Sequence, residues 1–175
     1  MKKIFTLLLT LALVLSLPAC GNGGDNSGGA PGQSQQQEQQ EAPDLSKFYD
    51  DFMASLGDDT PMMMDLTEDD GALLDQFYPG LSDCGNKQIV VQGAAISAVA
   101  FEMALIEVEN IDDVQAVSDI FQARIDTQIK NGAYYPATVE SWEKAAVITR
   151  GSVVALICAG DQQAKAEEAF NALFE

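Results

Sequence analysis

A low-complexity stretch limits where this chain can fold. Residues 21–43 read GNGGDNSGGAPGQSQQQEQQEAP and contain no aliphatic or aromatic side chain larger than alanine. Such a segment buries too little apolar surface to offset the entropy lost on ordering, so we predict a disordered linker. The hydrophobic core must therefore come from residues 44–175, which are long enough for a single domain.

The residues before this linker predict export and attachment to a membrane. Lys2 and Lys3 precede an apolar run, residues 4–17, that is too short for a spanning helix, and Pro-Ala then precedes Cys20. This pattern is typical of a lipoprotein signal peptide, with residues 1–19 removed and Cys20 acylated. Two buried acyl chains, palmitate among them, would hold the chain on the extracytoplasmic face of the cell membrane. An ordinary secretory cleavage near a cysteine is the alternative.

The charge balance excludes one class of partner. The chain has 27 Asp and Glu residues against 9 Lys and Arg residues, a net charge of −18. Removing Lys2 and Lys3 with the signal leaves 7 basic residues and a net charge of 7 − 27 = −20. Because nucleic-acid phosphates need basic partners, we expect no nucleic-acid partner.

The chain has no histidine, which excludes Ser-His-Asp and Cys-His catalysis and histidine zinc sites.

Capping signals predict four helices, and apolar runs predict four strands. The helix starts are marked by Asp44, by Thr67 with Asp70, by Asn110 with Asp113, and by Asp161. The runs rich in Val, Ile and Phe are residues 88–92, 101–109, 147–149 and 152–158. Residues 153–157 are apolar on both faces, which is typical of an interior strand.

Two similar runs suggest an internal duplication. Tyr78-Pro79 and Tyr135-Pro136 are each followed, eight residues after the proline, by a lysine and then an apolar strand. We therefore predict an α+β fold with a small antiparallel sheet of about four strands, formed by duplicated β-β-α units, and helices packed mainly on one face. Coincidence is the alternative, because the spacing after the next glycine differs between the two runs.

One pattern resembles a catalytic motif. Ser141 and Lys144 have the S-x-x-K spacing in which a lysine activates a serine, but no K-T-G follows. An amphipathic helix with Trp142 docked on the core explains these residues better. We therefore expect no catalytic residues, although hydrolysis by paired carboxylates remains open in so acidic a chain.

The sequence predicts no metal or cofactor site. A calcium loop starting at Asp65 would place Asp70 where the chain must turn at a glycine, and Gln76 where a bidentate glutamate is needed. Carboxylates at helix N-termini are the better explanation, because the helix dipole favours them there.

Two structural roles are possible for each of three residue types: the remaining cysteines, the tyrosines and the methionines. Cys84 and Cys158 form a disulfide or stay free, and we favour free thiols. Tyr78, Tyr134 and Tyr135 either pin loops to the core or present aromatic faces to a sugar or a partner strand, and we favour packing. The methionines of residues 62–64 are expected to fill the core, with a binding surface as the alternative.

Several short stretches in order carry a resemblance to a known family. They are MMMDL at 62–66, YPGL at 78–81, ISAVAFE at 96–102 and the helix from Val114 through IFQAR at 120–124. Together with the lipidation signal, they resemble a family of short Gram-positive, clostridial-type cell-surface lipoproteins catalogued as a domain of unknown function. The resemblance covers residues 45–175. It implies a surface lipoprotein without an assigned activity and transfers no catalytic residue.

These observations favour a non-catalytic binding or interaction module of the cell envelope. It would contact a protein or a cell-wall glycan through its sheet face or through the Tyr-Pro loops. The alternative is an envelope hydrolase that uses paired carboxylates.

The lipid anchor can be tested directly. Replacing Cys20 with Ala removes the acylated thiol, so the protein should move from the membrane fraction to the supernatant. Intact mass of the membrane-extracted native protein should show the acyl addition. An unacylated mass, or a mature chain that begins at another residue, would contradict the prediction.

Overall fold

An antiparallel sheet of five strands forms the centre of the fold in a computed structural model, which describes residues 42–68 and 71–175. The strands are β1 (Met63–Asp65), β2 (Asn86–Ala94), β3 (Glu102–Val108), β4 (Ala146–Arg150) and β5 (Val153–Cys158). They lie in the order β1-β2-β3-β5-β4, and each neighbouring pair is antiparallel. The predicted signal peptide, Cys20 and nearly all of the linker lie outside the described residues.

Within the described residues, five α-helices cover this sheet. They are α1 (Leu45–Ala54), α2 (Ala72–Phe77), α3 (Val114–Thr127), α4 (Pro136–Glu143) and α5 (Gln163–Asn171). Across residues 42–68 and 71–175, no helix is long and apolar enough to cross a membrane.

The two central strands explain why both faces of the sheet need helices. Every residue of β3 and β5 is buried, and all of their side chains except Glu102 and Glu107 are apolar. Side chains alternate between faces, so Met103 and Leu105 join the core under α1 and α5, while Ala104 and Ile106 join the core under α2, α3 and α4. The sheet is therefore the middle layer of three.

The α+β class and the antiparallel sheet are confirmed, and all four predicted strands are present. The expectation of helices mainly on one face is wrong, because β3 and β5 each have two apolar faces to bury. The predicted β-β-α duplication is wrong for the helical layer: α3 and α5, which follow the two hairpins, pack on opposite faces. The fifth strand, β1, has only three residues and was not predicted.

The helix starts agree with the sequence in part. Asp44 caps α1 by accepting a hydrogen bond from the Lys47 amide, and Asn110 accepts one from the Asp112 amide in the turn before α3. Asp161 lies in the short 3₁₀ turn before α5. The capping box predicted at Thr67 is wrong, since its amide and hydroxyl both donate to Asp65, and α2 begins after a glycine. Asp70, its proposed partner, lies outside the described residues.

Candidate functional site

A buried ion pair joins the start of β3 to α3. Glu102 and Arg124 are only 4% and 9% exposed. The Arg124 Nε atom donates to Glu102 Oε1 at 2.8 Å, and Nη2 donates to Oε2 at 2.7 Å. Two parallel charge-assisted hydrogen bonds are the strongest geometry for this pair of groups. The guanidinium group is therefore held in one position against the sheet.

Aromatic rings enclose the other sides of the guanidinium group. Its central carbon lies 4.6 Å from the ring centre of Phe77, 5.7 Å from Tyr78 and 5.6 Å from Trp142. These distances are within the range of cation–π attraction. The Tyr78 hydroxyl also donates a hydrogen bond to Glu102 Oε1, so the carboxylate accepts bonds from two side chains. We call Tyr78, Glu102 and Arg124 the buried triad.

Small neighbours make room for the carboxylate. Glu102 pairs across the sheet with Gly93 on β2 and with Cys158 on β5. A Cβ atom at Gly93 would lie 3.4 Å from Glu102 Oε2, at the short end of van der Waals contact.

Burial fixes the protonation state of the groups around the carboxylate. Burial raises the pKa of Tyr78 well above its usual value, and the negative charge of Glu102 raises it further. Desolvation alone would lower the pKa of Arg124, but the hydrogen bond and charge of Glu102 outweigh it and raise the pKa. Burial also raises the pKa of the Cys158 thiol to about 12. At neutral pH these groups hold one another in place and exchange no proton.

A second buried carboxylate points away from the first. Glu107, also on β3, lies on the opposite face because it is five residues from Glu102. It accepts hydrogen bonds from Lys87 at 3.2 Å and from Gln88 at 2.8 Å. Gln88 also accepts from the Leu45 amide and so ties the start of α1 to the sheet. The two buried carboxylates therefore lie on opposite faces of the sheet and do not form a pair.

The S-x-x-K residues do not meet. The Ser141 hydroxyl donates to the Ala137 carbonyl at 2.9 Å, while Lys144 forms an ion pair with Glu140 at 2.8 Å. Trp142 is 4% exposed and packs in the core. The preferred interpretation, an amphipathic helix docked through its tryptophan, is confirmed.

The two cysteines are free in this structure, Cys158 buried and Cys84 partly buried, as favoured from the sequence. Within residues 42–68 and 71–175 no three Cys, Asp or Glu side chains are grouped as a metal site would need. A groove of about 440 Å³ lies between α1 and α5, beside Phe48 and Phe52. Its lysines are already engaged, Lys47 by Asp51 and Lys165 by a backbone carbonyl.

Several residues expected in the core are on the surface. Tyr134 and Tyr135 are 83% and 54% exposed, so the packing expectation is wrong for them and right for Tyr78. Met62 and Met64 are 73% and 40% exposed because they lie beside or on an edge strand. Helices pack on both faces of the central strands, so those strands present little exposed surface.

Sequence reasoning missed the buried triad. One signal was available: Arg124 lies seven residues after Val117 and three after Phe121, on the apolar stripe of α3. A second was Glu102 at the head of an apolar strand. Because the two are 22 residues apart, nothing in the sequence alone paired them.

Replacing Arg124 with Met should destabilise the protein strongly. The change keeps much of the side-chain volume but leaves Glu102 buried without its base, which costs about 3–5 kcal/mol of unfolding free energy. Urea unfolding of the full chain measures this loss. Lys144→Met is the control, because it breaks only an exposed pair on α4 and should change stability little. Similar losses in both variants would contradict the prediction.

Because the pKa of the buried Cys158 thiol is raised, the protein should lose stability at alkaline pH. Its pKa is about 12 in the fold against 9.0 ordinarily, so its contribution is complete below pH 9 and falls as pH rises from 9 to 12. The slope for one such group is about 1.4 kcal/mol per pH unit. Urea unfolding at pH 8, 9 and 10 should show a shallower decline for Cys158→Ala than for the native chain or for Cys84→Ala. Equal slopes would show that the thiol is not held protonated.

Comparison with known proteins places the chain in a family. The model described as "Domain of unknown function (DUF4358)" matches residues 57–159, a range that contains all five strands and the buried triad. No curated protein and no solved structure matches the chain. The expected membership of a family without an assigned activity is confirmed, whereas the lipoprotein and Gram-positive context remains a prediction. The chain belongs to the DUF4358 family.

Proposed function

We propose that this chain is a lipid-anchored module on the extracytoplasmic face of the cell membrane that binds another envelope protein and carries out no chemistry itself. The lipidation signal at Cys20 supports the location. In a Gram-positive cell the lipid would lie in the outer leaflet, and the linker of residues 21–43 would let the domain reach toward the wall.

The observation that carries this proposal is the tyrosine turn, which we define as Tyr134–Pro136. Tyr134 is the most exposed large hydrophobic side chain among the described residues, and Tyr135 beside it is more than half exposed. Tyrosine is enriched at protein interfaces because a rigid ring supplies much contact area at low entropic cost. Two adjacent exposed tyrosines are therefore suited to a partner.

The backbone of the tyrosine turn is held by the helix that follows. Tyr135 is the residue before α4, and Pro136 occupies the first helical position, where a fixed φ favours the start of a helix. The Tyr135 carbonyl accepts hydrogen bonds from the Thr138 and Val139 amides at 3.0 Å each. The turn therefore loses little backbone freedom when a partner binds.

The interior supports a non-catalytic role. Glu102 and Glu107 are buried, and each accepts hydrogen bonds from a neighbouring base. Cys158, whose pKa is about 12, is a poor nucleophile at neutral pH. These buried carboxylates and this thiol therefore have a structural role in the proposal.

A protein suits the exposed surface better than a cell-wall glycan. Besides the tyrosine turn, the exposed large hydrophobics include Met62 and Met64, whose flexible side chains adapt to uneven protein surfaces. Such side chains suit a protein partner, whereas a sugar ring stacks on aromatic residues.

Photo-crosslinking tests the proposal in source cells. A photoreactive phenylalanine analogue at position 134 should give one adduct with a second protein, identified by mass spectrometry, and Tyr135→Ala should lower its yield about tenfold. The same analogue at Ile111, which is 60% exposed elsewhere, is the matched control. An equal yield at both positions, or an adduct removed only by wall-degrading enzymes, would contradict a protein partner at this turn.

A further inference from the structure

We propose that β1 accepts an extended, basic segment of a partner protein as a sixth strand of the sheet. This inference rests on the proposed function, because it names the chemistry of the partner of the same binding module. It is carried by the backbone of β1, by two exposed methionines and by the charge of the surrounding chain.

The outer edge of β1 carries backbone N–H and C=O groups that point away from the sheet. The Ala95 amide donates to the Met62 carbonyl, and the Leu66 amide donates to the Val91 carbonyl, both at 2.9 Å. Antiparallel strands alternate the direction of their hydrogen bonds, so Met62, Met64 and Leu66 face β2. The N–H and C=O groups of the two residues between them therefore point outward, away from the sheet.

Those outward groups belong to Met63 and Asp65. Because β1 is the terminal strand of the sheet, no described strand pairs with them. An added antiparallel strand would exchange hydrogen bonds with both residues, as in other cases of strand addition. The edge is short, so side-chain contacts must supply part of the affinity.

Exposed apolar side chains flank this edge. Met62 and Met64 are two residues apart and so lie on the same side of the strand, with exposures of 73% and 40%. Ile96, which is 57% exposed, follows the Ala95 amide that bonds to Met62. A partner strand with apolar residues at alternate positions would bury these side chains.

The charge of the chain selects a basic partner. Residues 48–86, which supply β1, contain ten Asp and Glu residues and no Lys or Arg. Asp58, Asp59 and Glu68, on either side of β1, are exposed. A second copy of this chain would bring the same acidic segment against itself, whereas a segment with alternating lysines would be attracted.

Binding of a designed peptide to the full chain carrying Cys20→Ala tests this inference. The probe is a labelled eight-residue peptide that alternates Lys and Val, and it should bind with a Kd below about 1 mM. Amide hydrogen exchange at Met63 and Asp65 should slow at least about tenfold at saturation, because their N–H groups become paired. The same peptide N-methylated at alternate residues, or with Glu in place of Lys, should bind at least about tenfold more weakly.

Variants of the protein provide a second test. Met64→Lys places a positive charge on the edge and should weaken binding of the Lys-Val peptide about tenfold, whereas Ile111→Lys, at another exposed site, should not. Thermal unfolding checks that both variants fold, and if Met64→Lys does not, the comparison between peptides decides.

Three results would overturn the inference: no binding below about 1 mM, equal binding of the N-methylated peptide, or a dimer of this chain formed through β1. If crosslinking at position 134 persists while the peptide fails to bind, only this inference falls. If the crosslink is also absent, the proposed function falls with it.

Discussion

The ion pair between Glu102 and Arg124 is the interaction on which one whole face of the sheet depends. Removing both charges from water is expensive, and only good geometry offsets the cost. Here the offset comes from two parallel hydrogen bonds, a third from Tyr78, and three aromatic rings around the guanidinium group. The pair joins β3 to α3, and the rings come from α2, from the residue after it and from α4. Side chains from or next to three helices thus meet at this one interaction.

The need to accommodate this ion pair relates several features of its surroundings. Gly93 and Cys158, the cross-strand neighbours of Glu102, are both small residues. An apolar contact tolerates sliding along a helix, but a bidentate ion pair has one satisfactory geometry, so it determines which turn of α3 meets the start of β3. Both oxygens of the buried carboxylate accept hydrogen bonds from Tyr78 or Arg124.

The sequence predicted the elements whose signals are local. Asp44 caps α1 as expected, Asn110 caps only the short 3₁₀ turn that leads into α3, and the apolar run of residues 153–157 is an interior strand. It did not predict β1, since three residues are too few to show an alternation of apolar and polar positions. It also misassigned the layers, because an apolar strand shows that both its faces are covered but not which helix covers each face.

For the candidate sites too, local features could be predicted from the sequence, whereas features that depend on tertiary contacts could not. The triad could not be derived because its members come together only through the pairing of β3 with its neighbours and the docking of α3. Tyr134 and Tyr135 were expected in the core because tyrosine beside proline commonly packs there, and exposure depends on what lies across the turn. The sequence already argued against a catalytic role for Ser141 and Lys144, because an amphipathic helix explained their spacing.

A double-mutant cycle on Glu102 and Arg124 measures the central interaction most directly. Unfolding free energies of the native chain, Glu102→Gln, Arg124→Met and the double variant give the coupling between the two side chains. We predict that the double variant loses less stability than the sum of the single variants, by about 2 kcal/mol or more, because neither charge is then left alone. Losses that add to within about 0.5 kcal/mol would show that the two residues act independently and that the ion pair does not hold this face together.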